Sequence, residues 1–129
     1  MASELILVVD DNPINLKLTK VLLLKENYEV RTASDAEEAL RLLETLKPRL
    51  ILMDIQLPGM DGMELTRRLK GSPTTKDILI LALTAYAMKG DDEKAMTAGF
   101  DGYITKPIDT QALPGIIKGY LEPKANGEP

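Results

Sequence analysis

The stretch Leu50-Ile51-Leu52-Met53-Asp54-Ile55-Gln56-Leu57-Pro58-Gly59-Met60-Asp61-Gly62 decides the fold. Four apolar residues run without interruption into a carboxylate, and Pro58, Gly59 and Gly62 then mark a turn. A short apolar run bounded by turn signals is the pattern of a strand buried on both faces of a parallel sheet. An acid at the carboxyl end of such a strand sits where open α/β sheets keep their ligand crevice. Two more runs end in charge: Leu5 to Val9 stops at Asp10-Asp11, and Gly102 to Thr105 stops at Lys106-Pro107. If these ends share one edge of a sheet, three acids and a lysine meet.

Working outward, the chain alternates between two periodicities. After the first strand, Asn12-Pro13 reads as a helix start, with Asn12 as cap and Pro13 in the first helical position. Ile14, Leu18, Val21 and Leu22 follow the rhythm of a core-facing stripe, which leaves Leu16 and Leu23 on the opposite face. Surface leucines are ordinary, although a pair one heptad apart also suits a docking surface. Tyr28 to Ala33 is a more polar strand and is expected at the sheet edge. Ser34 or Asp35 caps the next helix, with Glu37 and Glu38 placed for a capping box; Ala36, Ala39, Leu40 and Leu43 face inward.

Asp61 caps a short helix over about Met63 to Lys70. Ile78 to Leu83 reads as a central strand ending at Thr84, and Gly99 suits the left-handed stop of a further helix. A last helix is expected from about Thr110 to Leu121. Pro114, Gly115 and Gly119 weaken it, so it starts late, with Pro114 in its first turn. Five alternations of strand and helix imply an α/β fold, a doubly wound parallel sheet with right-handed crossovers. The 129 residues suffice for one domain, at 1–121, and the proline- and glycine-rich 122–129 reads as a disordered tail or linker stub.

Composition narrows the chemistry. The chain has no cysteine and no histidine, which excludes disulfides, thiolate chemistry, Ser–His triads and histidine metal ligands. A net charge of −4 without a basic stripe argues against nucleic-acid binding. No apolar run approaches membrane-spanning length, so a cytoplasmic protein is expected.

Three carboxylates at one sheet edge repel one another unless a cation is present. With oxygen ligands alone the guest is a hard cation, and Mg²⁺ suits best because it shares its shell with water and phosphate. Lys106 adds a fixed positive charge and Thr84 a hydroxyl. Together with Asp54 as nucleophile and Asp10-Asp11 as the metal-holding pair, they make a site for phosphoryl transfer onto a carboxylate. Each piece alone has a plainer reading. An Asp-Asp before Asn-Pro is usually helix capping, Thr and Lys-Pro at strand ends are usually turn chemistry, and Tyr103 is by default a half-buried strand aromatic. Their co-occurrence, each after an apolar run, carries the argument.

Val8-Val9-Asp10-Asp11-Asn12, the Leu50–Gly62 stretch, Ala82 to Ala87 and Tyr103 to Pro107 together resemble the receiver domain of two-component response regulators, over about Leu5 to Leu121. The resemblance implies the flavodoxin-like, CheY-like fold: five strands in order 2-1-3-4-5 with five helices. It implies phosphorylation of Asp54 by a histidine kinase or histidine phosphotransfer protein, and Mg²⁺ held by Asp10, Asp11, Asp54 and the main-chain carbonyl of Gln56. Thr84 and Lys106 would contact the phosphoryl group, the Tyr103 rotamer would follow the switch, and Gln56 and Tyr86 would tune the rate of phosphoryl loss. Thr84 to Ala95, with no output domain following, most resembles single-domain receivers of the DivK type; an excised piece of a longer regulator would read the same. A downstream protein target is implied, with the chain a monomer or a weak phosphorylation-dependent dimer. The glycines and proline of the last helix depart from the family pattern and put its usual dimer or output face in question. The chain is thus expected to be a signalling switch, limited to Mg²⁺-dependent self-phosphorylation and autodephosphorylation. The competing reading, an aspartyl-nucleophile phosphatase, wants a second acid two residues past the nucleophile; Gln56 stands there.

Overall fold

The computed structural model describes residues 4–84 and 99–121. Five strands, β1 (Leu5–Val9), β2 (Glu29–Ala33), β3 (Leu50–Asp54), β4 (Leu79–Thr84) and β5 (Gly102–Thr105), form one sheet. Every pairing is parallel, and the order is β2-β1-β3-β4-β5. Among the described residues four helices accompany them: α1 (Pro13–Lys25), α2 (Ala36–Leu43), α3 (Gly62–Lys70) and α4 (Leu113–Leu121). The expected helix ending at Gly99 lies outside the described residues, as do Tyr86 and the tail 122–129. Gly99 itself has φ +107°, in the region that favours a glycine stop.

The apolar runs are continuous because both sheet faces are covered. Alternate side chains point to opposite faces of a strand. Leu7, Val9, Ile51, Met53, Ile80 and Ala82 pack with Ala36 and Ala39 of α2 and Leu65 and Leu69 of α3. Ile6, Val8, Leu50, Leu52, Leu81 and Leu83 pack on the other face, with Leu23 of α1 and Leu113 and Ile117 of α4. Each such large side chain, fully withdrawn from water, contributes about 1.5–3 kcal/mol.

Caps fix the helix starts. Asn12 Oδ1 accepts from Ile14 N (2.9 Å) and Asn15 N (3.2 Å). Asp35 caps α2 by accepting from Glu38 N, and Glu38 reaches back to Ser34 N, so both candidate residues share a capping box. Asp61 caps α3 through Glu64 N. As its glycines and proline imply, α4 begins late, at Leu113, with Pro114 in its first turn.

One face assignment is reversed. Leu23 and Thr19 of α1 are buried and Leu16 and Leu22 pack against the core, whereas Ile14, Leu18 and Val21 are exposed, Ile14 by 76%. Of the four positions assigned to the core, Leu22 alone reaches it, and Leu23, assigned outward, is central. The inner stripe Leu16, Thr19, Leu23 has the same helical spacing, and its middle hydroxyl disguises it.

At the base of the sheet, Asp101 Oδ2 accepts from Ile80 N (2.8 Å) and from Lys70 Nζ (2.9 Å), and Asp101 N donates to Ile80 O (2.8 Å). Lys70 Nζ also donates to the carbonyl of Ile78 (2.8 Å). The entrance of β5 is thereby bonded to β4 and to the end of α3.

Candidate functional site

Strand register sets the site. Val9 pairs with Met53, so Asp10 emerges beside Asp54; Asp54 pairs with Leu83, and Thr84 with Thr105. The carboxyl ends of β1, β3, β4 and β5 thus bring Asp10, Asp11, Asp54, Thr84 and Lys106 to one edge, as the sequence predicts. Asp10 and Asp54 are buried, Asp11 is exposed, and one carboxylate oxygen from each lies within 4.8 Å of the others.

The two buried acids are held alike. Asp10 Oδ1 accepts from Asn12 N (2.9 Å), and Asp54 Oδ1 accepts from Gln56 N (3.0 Å). In each case a short side chain bonds the backbone two residues on, which fixes its rotamer. Both second oxygens then face Lys106: Nζ lies 3.1 Å from Asp54 Oδ2 and 3.3 Å from Asp10 Oδ2. Lys106 is placed by its own N–H, which donates to Thr84 O (2.7 Å).

Burial raises the Asp54 pKa above the ordinary carboxylate value, and the neighbouring Asp10 charge adds to this; the Gln56 N–H and Lys106 oppose it without cancelling it. Burial works against the charge of Lys106, but its bond and attraction to Asp54, with the Asp10 charge, hold its pKa above the usual lysine value. Asp54 is thus withdrawn from water, and Lys106 stays fully charged.

The donor set suits a hard divalent cation. It offers oxygen alone, and Asp10 Oδ2 is buried without a hydrogen bond, its approach to Lys106 being an ion pair only. A buried anionic oxygen whose neighbour is an ammonium at 3.3 Å still has lone pairs to offer, and a divalent cation gains most there. Tyr103 lies on β5 and is 43% exposed, the half-buried strand aromatic its sequence position implies.

Two features were missed by the sequence reading. The paired i to i+2 carboxylate bonds were legible in principle from an acid two residues before a turn amide. The exposed stripe of Pro13, Ile14, Lys17, Leu18 and Val21, which begins beside Asp10-Asp11, was not, because periodicity assigned it to the core.

A sequence profile described as the response regulator receiver domain matches residues 6–118. The polar-differentiation response regulator DivK of Brucella anthropi is 41% identical over 116 residues, spanning 90% of this chain and 94% of that protein. Among solved structures, the receiver domain of a sensor histidine kinase from Pseudomonas aeruginosa, with a magnesium ion coordinated in its active-site cleft, superposes with TM-score 0.84 at 34% identity, covering 92% of this chain and 98% of that one. The chemotaxis response regulator CheY4 of Vibrio cholerae gives TM-score 0.88 at 26% identity, covering 93% and 100%.

Proposed function

Because this chain belongs to the response regulator receiver family of two-component signalling proteins, we propose that its receiver unit spans 1–121 and that Asp54 is the residue that accepts the phosphoryl group. The observation that carries this reading is the ion pair of Asp54 Oδ2 with Lys106 Nζ at 3.1 Å, in a buried site that Asp10 shares. The donor is a phosphohistidine on a histidine kinase or a histidine phosphotransfer protein, since this chain has no histidine. Asp54 Oδ2 attacks phosphorus, the new P–O bond forms as the P–N bond breaks, and the electron pair leaves on the donor's imidazole nitrogen.

Asp10, Asp11, Asp54 and the main-chain carbonyl of Gln56 would hold Mg²⁺. When bound, that ion neutralises charge on the transferring phosphoryl oxygens. Lys106 supplies the second positive charge and aligns the Asp54 oxygen for attack. The Gln56 N–H holds the other Asp54 oxygen, so one lone-pair direction faces the donor.

Phosphorylation adds about −1.5 to −2 charge at Asp54. Thr84 then turns its hydroxyl to the new oxygens, Tyr103 moves into the space released, and the β5 surface changes for a downstream protein target. Gln56 and Tyr86 set the rate of phosphoryl loss. The exposed apolar stripe of α1, which starts next to the acids, fits the donor's docking helix. The chain acts in the cytoplasm as a monomer or a weak phosphorylation-dependent dimer, without binding DNA, and its only chemistry is Mg²⁺-dependent self-phosphorylation and autodephosphorylation. Among the described residues, no helix is long and apolar enough to cross a membrane.

The test is intact mass after incubation with acetyl phosphate, with and without Mg²⁺, beside Asp54→Asn. A single Mg²⁺-dependent phospho-adduct, absent from the variant, is expected. An adduct of equal size on Asp54→Asn would refute the assignment.

A further inference from the structure

We infer that Gly62 is a positioning residue for the phosphoacceptor, acting through the backbone of Asp54 and Ile55; the inference rests on the function proposed above. Gly62 opens α3, directly after the Asp61 cap. A Cβ at this position would stand 2.9 Å from Ile55 Cα and 3.0 Å from the Asp54 carbonyl carbon, and closer still to the Asp54 carbonyl oxygen. Nonbonded carbons settle about 3.5–4.0 Å apart, so any side chain here forces a displacement on the order of 1 Å. The obstruction is backbone, which cannot swing aside as a flexible side chain can.

The 54–56 segment is also bonded on both sides. Ile55 N donates to Leu83 O (3.1 Å), and Gly62 N donates to Ile55 O (2.9 Å). Asp54 Oδ1 meanwhile accepts from Gln56 N. A peptide held this way translates any push on the Asp54 carbonyl into rotation of the Asp54–Ile55 peptide. That rotation carries the Gln56 amide, which orients the acceptor carboxylate, and the Gln56 carbonyl, a proposed cation ligand. Gly62 touches neither phosphoryl group nor ion; it sets the geometry of the groups that do.

Gly59 is the internal control. It lies in the same turn, has φ +74°, and a Cβ there would meet nothing within 4 Å. An alanine at 59 strains the turn itself without pressing on Asp54.

The experiment measures Mg²⁺ affinity by calorimetry, phosphoryl uptake from acetyl phosphate by intact mass, and melting temperature. It compares the unaltered chain, Gly62→Ala and Gly59→Ala. In Gly62→Ala the uptake rate falls on the order of 100-fold, the scale of a 1 Å misplacement, and Mg²⁺ binding weakens. Gly59→Ala melts lower yet keeps its Mg²⁺ affinity. An unaltered chain that takes up no phosphoryl group overturns the functional reading and this inference with it. Normal uptake there, with Gly62→Ala matching it in rate and Mg²⁺ affinity, overturns the inference alone. Equal loss of Mg²⁺ affinity in both variants does the same, because general strain of the turn would then suffice. Should Gly62→Ala not fold, the amide resonance of Gly62 in the unaltered chain decides. Its movement with Mg²⁺, at the calorimetric midpoint, supports the coupling, and a stationary resonance overturns it.

Discussion

Replacing Lys106 by methionine removes one charge and keeps most of the side-chain volume, so its cost isolates the electrostatics of the site. At an effective dielectric constant of about 20, an ion pair at 3.1 or 3.3 Å attracts by about 5 kcal/mol. Carboxylate oxygens within 4.8 Å of one another repel by at least about 3.5 kcal/mol per pair on the same scale. The two attractions of the lysine together outweigh a repulsion of that size between Asp10 and Asp54, and its loss leaves two buried anions uncompensated. Proton uptake by Asp54 caps the penalty, and removal of one partner from a buried pair costs about 3–5 kcal/mol. For 129 residues, with unfolding entropy of about 2.1 cal/mol/K per residue, 3 kcal/mol lowers the melting temperature by roughly 10 °C.

The sign with pH follows from both shifts. The folded pKa of Lys106 is raised, so its stabilisation is whole at neutral pH and is lost as pH rises through the raised value. The folded pKa of Asp54 is also raised, chiefly by burial. Keeping that carboxylate ionised thus opposes folding at neutral pH, and the opposition is absent below the ordinary carboxylate range. As acid protonates Asp54, its share of the Lys106→Met deficit disappears. Thermal melts at neutral and acidic pH, with and without Mg²⁺, should therefore show a deficit that shrinks in acid, shrinks with Mg²⁺, and is smaller in an Asp54→Asn background, as a double-mutant cycle measures. A neutral-pH deficit below about 1 kcal/mol, or one unchanged by Asp54→Asn, would refute the charge-compensation argument.

Leu18→Glu on the exposed face of α1 should change stability by no more than about 0.5 kcal/mol. It should leave acetyl phosphate uptake intact while slowing transfer from a phosphohistidine donor; parallel kinetics with both donors check this. Thr66 Oγ1 is fully buried and has no partner among the described residues. Thr66→Val, which removes that unsatisfied hydroxyl, should raise stability by about 1 kcal/mol in urea titration; a loss would mean the hydroxyl is bonded.

The strands were legible because parallel burial writes itself as uninterrupted apolar sequence, and Leu50–Met53 and Ile78–Leu83 have little else to be. The acidic edge followed from topology, since any parallel sheet delivers the residues after its strands to one end. Helix α1 was not legible in the same way. Apolar residues occupy both of its faces, and the stripe that packs inward carries Thr19 where a hydrophobe would have marked it. Periodicity counts methyl groups, whereas the sheet buried the face whose geometry fitted Leu23 over Ile6 and Val8. The crowding around Gly62 was also invisible, because a glycine beside an aspartate reads as a turn until the backbone pressed against it is known.

The bonds of Asp101 give β5 unequal ends. At its base the strand is bolted to Ile80 and Lys70, and about five residues on, some 17 Å at strand rise, it delivers Lys106 to the carboxylates. The strand between is held along its length by its ladder with β4, and Lys106 N closes the far end on Thr84 O (2.7 Å), so the charge is carried by a side chain standing on a fixed backbone. A force of ionic origin at Lys106 is therefore taken up first by its flexible side chain, with the hydrogen-bonded strand beneath it staying in register. Under the proposed switch, Tyr103 would then move by its own rotamer rather than by travel of the backbone beneath it.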